Sequence, residues 1–172
     1  MIITLKNGNT LELENGLTVL DVAKQISEGL ARNAVCAKID GNLVDLSAVI
    51  DKDINLEIIT LSDAEGLNVY RHTTSHVLAQ ALKTIYPTCK LAIGPTIENG
   101  FYYDVEFKTP ISQDDLPKIE AEMQKIIKSD LPIERFTLTK TDAAKLIRKY
   151  KEPYKVSLIA ELPPREEISF YK

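Results

Sequence analysis

The chain holds two histidines, His72 and His76, four residues apart in the run RHTTSHVLAQAL (71–82). On a helix, side chains at i and i+4 leave from one face, so the two imidazoles can converge on a single atom or small molecule. Three readings follow: two reagents for one reaction, two ligands for one metal ion, or two surface imidazoles with no joint task. The residue after His72 is Thr73, where a HExxH metalloprotease needs a glutamate as general base, so that motif is excluded. A metal site of another kind needs a third and usually a fourth deprotonated ligand. Cys89 lies beyond a break marked by Pro87, and Cys36 lies in a strand-like run. No complete zinc site is therefore expected, and no metal ligand is assigned.

Other chemical signatures are sparse. The sequence contains no GxxxxGK[ST] phosphate loop, no GxSxG elbow and no cysteine in evident partnership with a histidine. The stretch AIGPTIENGFYYDV gathers two glycines, a proline and the adjacent aromatics Phe101, Tyr102 and Tyr103. It reads either as an ordinary turn with alternating strand side chains, or as a hairpin offering a tyrosine face to a base or ribose. Lys155, in EPYKVSLI, follows a proline–tyrosine corner. An amine there is ordinarily solvated and gains interest only where the fold returns it to the histidines.

The elements that must position these groups read as α+β in two units. Hydrophobic residues make up 44% and charged residues 27% of 172, a balance that excludes a disordered chain. IITLKNGNTLELE is two alternating runs joined at Asn7-Gly8, a hairpin. Thr18 is placed to cap a helix with Leu20, Ala23 and Ile26 at helical spacing. A second turn at Asp40-Gly41 and the strand INLEIIT complete a small mixed sheet with one helix across it. LSDAEG (61–66) marks a hinge. Beyond it comes a helix of some twenty residues ending before Pro87, with an apolar stripe of Leu67, Tyr70, Val77, Leu78, Ala81, Leu82 and Ile85 set apart from the histidines. A hairpin over 90–107 turns at Asn99-Gly100. A serine-capped helix then carries Leu116, Ile119, Met123, Ile126 and Ile127 on one stripe, and IERFTLT (strand), KTDAAKLIRKY (helix) and YKVSLIAEL (a short element) follow.

Charge is unevenly spread. Residues 1–61 carry five Lys/Arg against nine Asp/Glu, and the remainder carries sixteen of each. Within that remainder, KTDAAKLIRKYKEPYK (140–155) has six basic and two acidic residues, a surplus that either meets phosphates or forms a solvated helix face. No apolar run is long enough to cross a bilayer, MIITLKNG lacks the features of a signal peptide, and two cysteines are too few for a disulfide framework. A reducing cytoplasm is the expected compartment, with no membrane contact.

In order, NVYRHTTSHVLAQALKTIYP, KLAIGPTIENGFYYDVEF and EPYKVSLI closely resemble the amino-terminal region of bacterial threonyl-tRNA synthetases. The resemblance implies a β-grasp TGS-like domain over 1–61 and the amino-terminal part of a mixed helix/sheet editing domain over 62–172. It implies that His72 and His76 are the HxxxH pair of an editing pocket, that Lys155 takes part in hydrolysis, and that Tyr103 contacts the substrate. The family completes the pocket with a downstream Cys-x-x-x-His segment, and this chain ends at EEISFYK. The expectation is therefore the amino-terminal part of a threonine–tRNA ligase, inactive by itself. The ligase core would use ATP, Mg and Zn; no cofactor is expected within these residues. The implied partners are threonine tRNA, mischarged seryl-tRNA and the rest of a synthetase that is a homodimer. Serine lacks only a methyl of threonine, worth about 1–3 kcal/mol of discrimination, which is why such an enzyme needs a second, hydrolytic sieve. The alternative is a stand-alone TGS-containing regulatory module that binds RNA or protein without catalysis.

Overall fold

A computed structural model describes residues 1–172. The contacts divide the chain into Met1–Arg71 and His72–Lys172. That division falls inside one continuous helix, so no loop marks it. No helix is long and apolar enough to cross a membrane.

The first unit contains β1 (Ile2–Leu5), β2 (Thr10–Glu12), β3 (Leu17–Thr18), α1 (Val19–Ile26), α2 (Glu28–Asn33), β4 (Ala34–Ile39), β5 (Asn42–Val44), β6 (Val49–Ile50) and β7 (Ile54–Thr60). Five strands form one sheet in the order β2-β1-β7-β4-β5. The unit's first and last long strands, β1 and β7, pair in parallel at the centre, and their neighbours are antiparallel. This is the β-grasp arrangement. Gly8 (φ +85°) lies in the turn of the first hairpin, and Asp40 (φ +50°) with Gly41 (φ +84°) makes the second, as Asn-Gly and Asp-Gly favour.

Thr18 caps α1 through a reciprocal pair. Its hydroxyl accepts the Asp21 N–H at 3.2 Å, and the Asp21 carboxylate accepts the Thr18 N–H at 3.1 Å. Val19 and Val22 of α1 then pack with Ile3, Ala37, Ile50, Ile54 and Leu56 to form the core. A bulge between Ala34 and Cys36 shifts the β4–β7 register; beyond it Cys36 and Ala37 pair regularly, point to opposite faces of the sheet and are both buried.

The second unit begins within α3 (Ala64–Ile85). It continues with β8 (Lys90–Leu91), β9 (Thr96–Ile97), β10 (Gly100–Phe101), β11 (Val105–Glu106), α4 (Leu116–Lys128), β12 (Arg135–Leu138), α5 (Lys140–Lys149), α6 (Pro153–Glu161) and β13 (Ile168–Tyr171). The 90–107 hairpin forms two nested ladders, β8 with β11 and β9 with β10. Gly100 (φ +150°) pairs with Ile97, so the turn itself is Glu98-Asn99, one residue earlier than the Asn99-Gly100 expected from sequence.

Two apolar clusters hold this unit. Ala79, Leu82, Cys89, Leu91 and Ile119 form one, and Ala143, Ile147 and Ile159 the other, beneath the β12–β13 pair. The apolar stripe read for α3 is only partly buried. Leu67 and Tyr70 are exposed, whereas Ser75 and Ala79 are buried. Small residues allow close approach along this face, and a hydrophobicity pattern passes over them. Leu116 and Ile127 at the two ends of α4 are likewise exposed, around a buried Ile119.

Candidate functional site

The histidines follow each other on α3, one turn apart. The Ser75 hydroxyl donates to the His72 carbonyl oxygen at 2.7 Å from a fully buried position, so this turn is fixed from behind while the imidazoles point outward. His72 Nε2 and His76 Nε2 stand 3.0 Å apart, one donating and the other accepting according to tautomer. Their ring centroids are 4.6 Å apart, with planes at 89°. The pair shares one proton in this hydrogen bond, and two imidazolium cations at that separation would repel.

Burial first, then the neighbouring His72 and Lys155, lowers the His76 pKa to about 4 although the side chain keeps an exposed edge. His76 is therefore neutral at pH 7. The unfolded chain takes up this proton near pH 6.5 and the folded chain near 4, so folding stability is fully present above 6.5 and is lost as pH falls toward 4. The ring's exposure discounts the effect to about 1 kcal/mol. A His76→Gln chain is expected to show a shallower fall in denaturant midpoint between those two pH values; parallel curves would remove this account.

Lys155 lies in the first turn of α6 and is half-buried. Burial, aided by the positive Lys83, holds its pKa below the ordinary lysine value, and Glu152 opposes them. Its charge is the last of the three influences that lower the His76 pKa, after burial and His72. Tyr171, at the end of β13, closes on the same group with its ring 6.1 Å from that of His76, tilted 50°.

Tyr103 is placed differently. It is half-buried against the cluster built on α3, β8 and α4, and its ring lies so close to Gly94 that a Cβ there would come within 2.4 Å of it. Burial and then Glu152 raise its phenol pKa. Of the four residues singled out from sequence, His72 and His76 are in direct contact; Lys155 bears on His76 through its charge, and Glu152 raises the pKa of both Tyr103 and Lys155.

Glu152 is the residue that sequence reasoning passed over. It is 5% exposed, accepts the Leu91 N–H at 2.8 Å, and meets Lys83 at 2.6 Å. Lys83 in turn donates to the Cys89 carbonyl at 2.8 Å. The available signal was an acid standing among lysines and arginines directly before a proline.

No three His, Cys, Asp or Glu side chains converge as a metal-holding group; Cys36 and Cys89 are buried, and burial raises both thiol pKa values. A cleft of about 440 Å³ lies beside the cluster, lined by Lys90, Arg148, Lys151, Glu152, Pro153 and Val156. A second, of about 430 Å³, is lined by residues including Tyr86 and Phe107. Neither includes the histidines.

Residues 1–60 match the TGS domain. The chain is 54% identical over 170 residues to the threonine–tRNA ligase of Clostridioides difficile, covering 99% of this chain and 27% of that protein. It is 53% identical over 170 residues to that of Acetivibrio thermocellus, with the same shares covered. It is 52% identical over 172 residues to that of Caldanaerobacter subterraneus, covering 100% of this chain and 27% of that protein. By sequence the chain is similar along its whole length to part of the threonine–tRNA ligases, beginning with a TGS domain. It spans about a quarter of the length of these curated relatives (27%). The TGS match ends at residue 60, four residues before α3 begins at Ala64.

Proposed function

We propose that His72–Lys172 is the proofreading part of a threonine–tRNA ligase, hydrolysing seryl-tRNA and contacting the tRNA that carries the ester. The observation that carries this reading is the 3.0 Å histidine pair with the Lys155 charge brought up to it. Hydrolysis of the ester needs a positioned water, an acceptor for its proton and positive charge beside the developing oxyanion. The histidine pair orients water, and the neutral His76 accepts its proton as the oxygen adds to the seryl carbonyl. Lys155 faces the oxyanion. Collapse breaks the ester C–O bond, and the ribose oxygen leaves with the proton, giving serine and free tRNA. Tyr103 and Tyr171 offer ring faces to the terminal adenosine or the seryl group. The cations Lys90, Arg148 and Lys151 along the neighbouring cleft suit a phosphate backbone.

The ligation itself, with its ATP, Mg and Zn, is proposed for the whole enzyme and not for these residues. With only two histidines and one amine at the cluster, the 172-residue chain by itself clears seryl-tRNA poorly on this reading. His72→Ala, introduced into a threonine–tRNA ligase carrying this region, is expected to leave threonine charging intact. Seryl-tRNA then accumulates, with hydrolysis slowed about 10²-fold or more. Unaltered clearance in a deacylation assay would count against the proposal.

A further inference from the structure

Glu152 occupies an unusual place. It stands at the N-cap position of α6 with no side-chain bond to its own helix, and its carboxylate reaches away from the helix to two other elements. One oxygen accepts the Leu91 N–H of β8 and the other meets Lys83 of α3. Lys155 follows three residues later, on the turn that Glu152 begins. Pro153 fixes the backbone at the helix start. A buried carboxylate with one cation bound and a second nearby is a costly arrangement to retain unless its placement matters.

We propose that Glu152 is a positioning residue for Lys155: with Lys83 and the Leu91 N–H it anchors the first turn of α6 and supplies the negative charge that offsets the amine beside the histidines. The inference rests on the proofreading reading for its purpose, and on the Glu152 contacts with Leu91 and Lys83 at the start of α6 for its existence. Lys83 is the second member of the device, because it pairs with the same carboxylate while its own positive charge acts on Lys155 in the opposite sense.

The two members act on Lys155 with opposite sign, which gives the test. In the 172-residue chain, the Lys155 ammonium is followed by lysine side-chain NMR, identified through its disappearance in K155R. Glu152→Gln keeps the shape and the acceptor for Leu91 but removes the charge, and it is expected to lower the Lys155 titration midpoint by about one pH unit. Lys83→Met removes the competing cation and is expected to raise it. A purely structural role would loosen α6 and move both variants the same way, toward the ordinary lysine value, and that result overturns the proposal. Should Glu152→Gln fail to fold, Lys83→Met is read beside Lys83→Arg, which keeps the cation: a midpoint raised in the first alone supports the proposal, and an unmoved midpoint or a rise in both overturns it.

Within a threonine–tRNA ligase, Glu152→Gln should lower kcat for seryl-tRNA hydrolysis about tenfold with little change in KM, and Glu152→Asp should recover part of it. Failure of the two readings is distinguishable. Opposite NMR shifts with unaffected hydrolysis in His72→Ala would sink the proofreading reading and leave the Glu152 device standing.

Discussion

Lys155→Met is expected to slow seryl-tRNA hydrolysis about 10²–10³-fold in a threonine–tRNA ligase carrying this region, while the variant chain is as stable as the parent or more so. The first half follows from the loss of a preorganised positive charge at a developing oxyanion, a change that costs such factors in hydrolytic enzymes. The second half follows from the position of the amine. Lys155 is half-buried, and burial is the leading cause that depresses its pKa. Its charge is thus a folding liability, and an apolar side chain of similar length relieves it. Activity and stability move in opposite directions, as expected of a residue retained for chemistry. His76 reports the same change, because Lys155 is one of the charges lowering its pKa to about 4; in Lys155→Met that value rises, while burial and His72 still hold it below 6.5. Thermal unfolding of the chain, a deacylation assay and the histidine NMR titration check the three statements separately. A melting temperature reduced by several degrees together with unimpaired hydrolysis would reverse the assignment.

Gly66→Ala is expected to destabilise the first unit by about 1–3 kcal/mol net, against the sign that helix propensity gives. Gly66 is buried in the first turn of α3. An alanine within an exposed helix would add about 1 kcal/mol of stability over glycine. Here an added Cβ would lie 1.9 Å from the Thr60 carbonyl oxygen and 3.3 Å from Ile59 Cγ2. The first obstacle is backbone, held by the Thr60–Asp63 bonds that open the helix: Asp63 accepts the Thr60 N–H at 2.8 Å and the Thr60 hydroxyl at 3.0 Å. It cannot swing aside as a flexible side chain would. For a unit of this size each kcal/mol lowers the melting temperature by about 4–8 °C. Gly29→Ala is the internal control. That glycine lies in α2, where a Cβ meets nothing nearer than the Ser27 hydroxyl at 4.0 Å, so propensity is unopposed and stability rises. If both variants shifted stability in the same direction, the steric account would be wrong.

The sequence alone determined the local elements and the likeness to the ligases. Asn7-Gly8 and Asp40-Gly41 specify their turns because few residues tolerate positive φ. Thr18 and Asp21 specify the start of α1 through a bond pattern that spans only three residues. INLEIIT becomes β7, Ile54–Thr60, without a register error. The motif order from HxxxH through GFYYD to YKVSL carried the family resemblance, and the 52–54% identities of the ligases bear it out. The i, i+4 spacing also brings His72 and His76 within reach of one another, since both lie on one helix.

Tertiary structure decided everything that depends on residues far apart in the chain. Lys155 is 79 positions after His76, and no local rule says whether α6 packs its first turn toward α3. The answer lies in Glu152, whose bonds cross to Leu91, 61 positions away, and to Lys83. A lone acid in a basic run looks like surface charge until those partners are seen. The buried face of α3 was misjudged at Leu67 and Tyr70 for the same reason. Periodicity finds a helix's apolar side, but the partner surface fixes which turns are covered, and here it selects the small residues Ser75 and Ala79. Spacing can set two groups on one helical face, whereas a third group from another element is delivered only by packing.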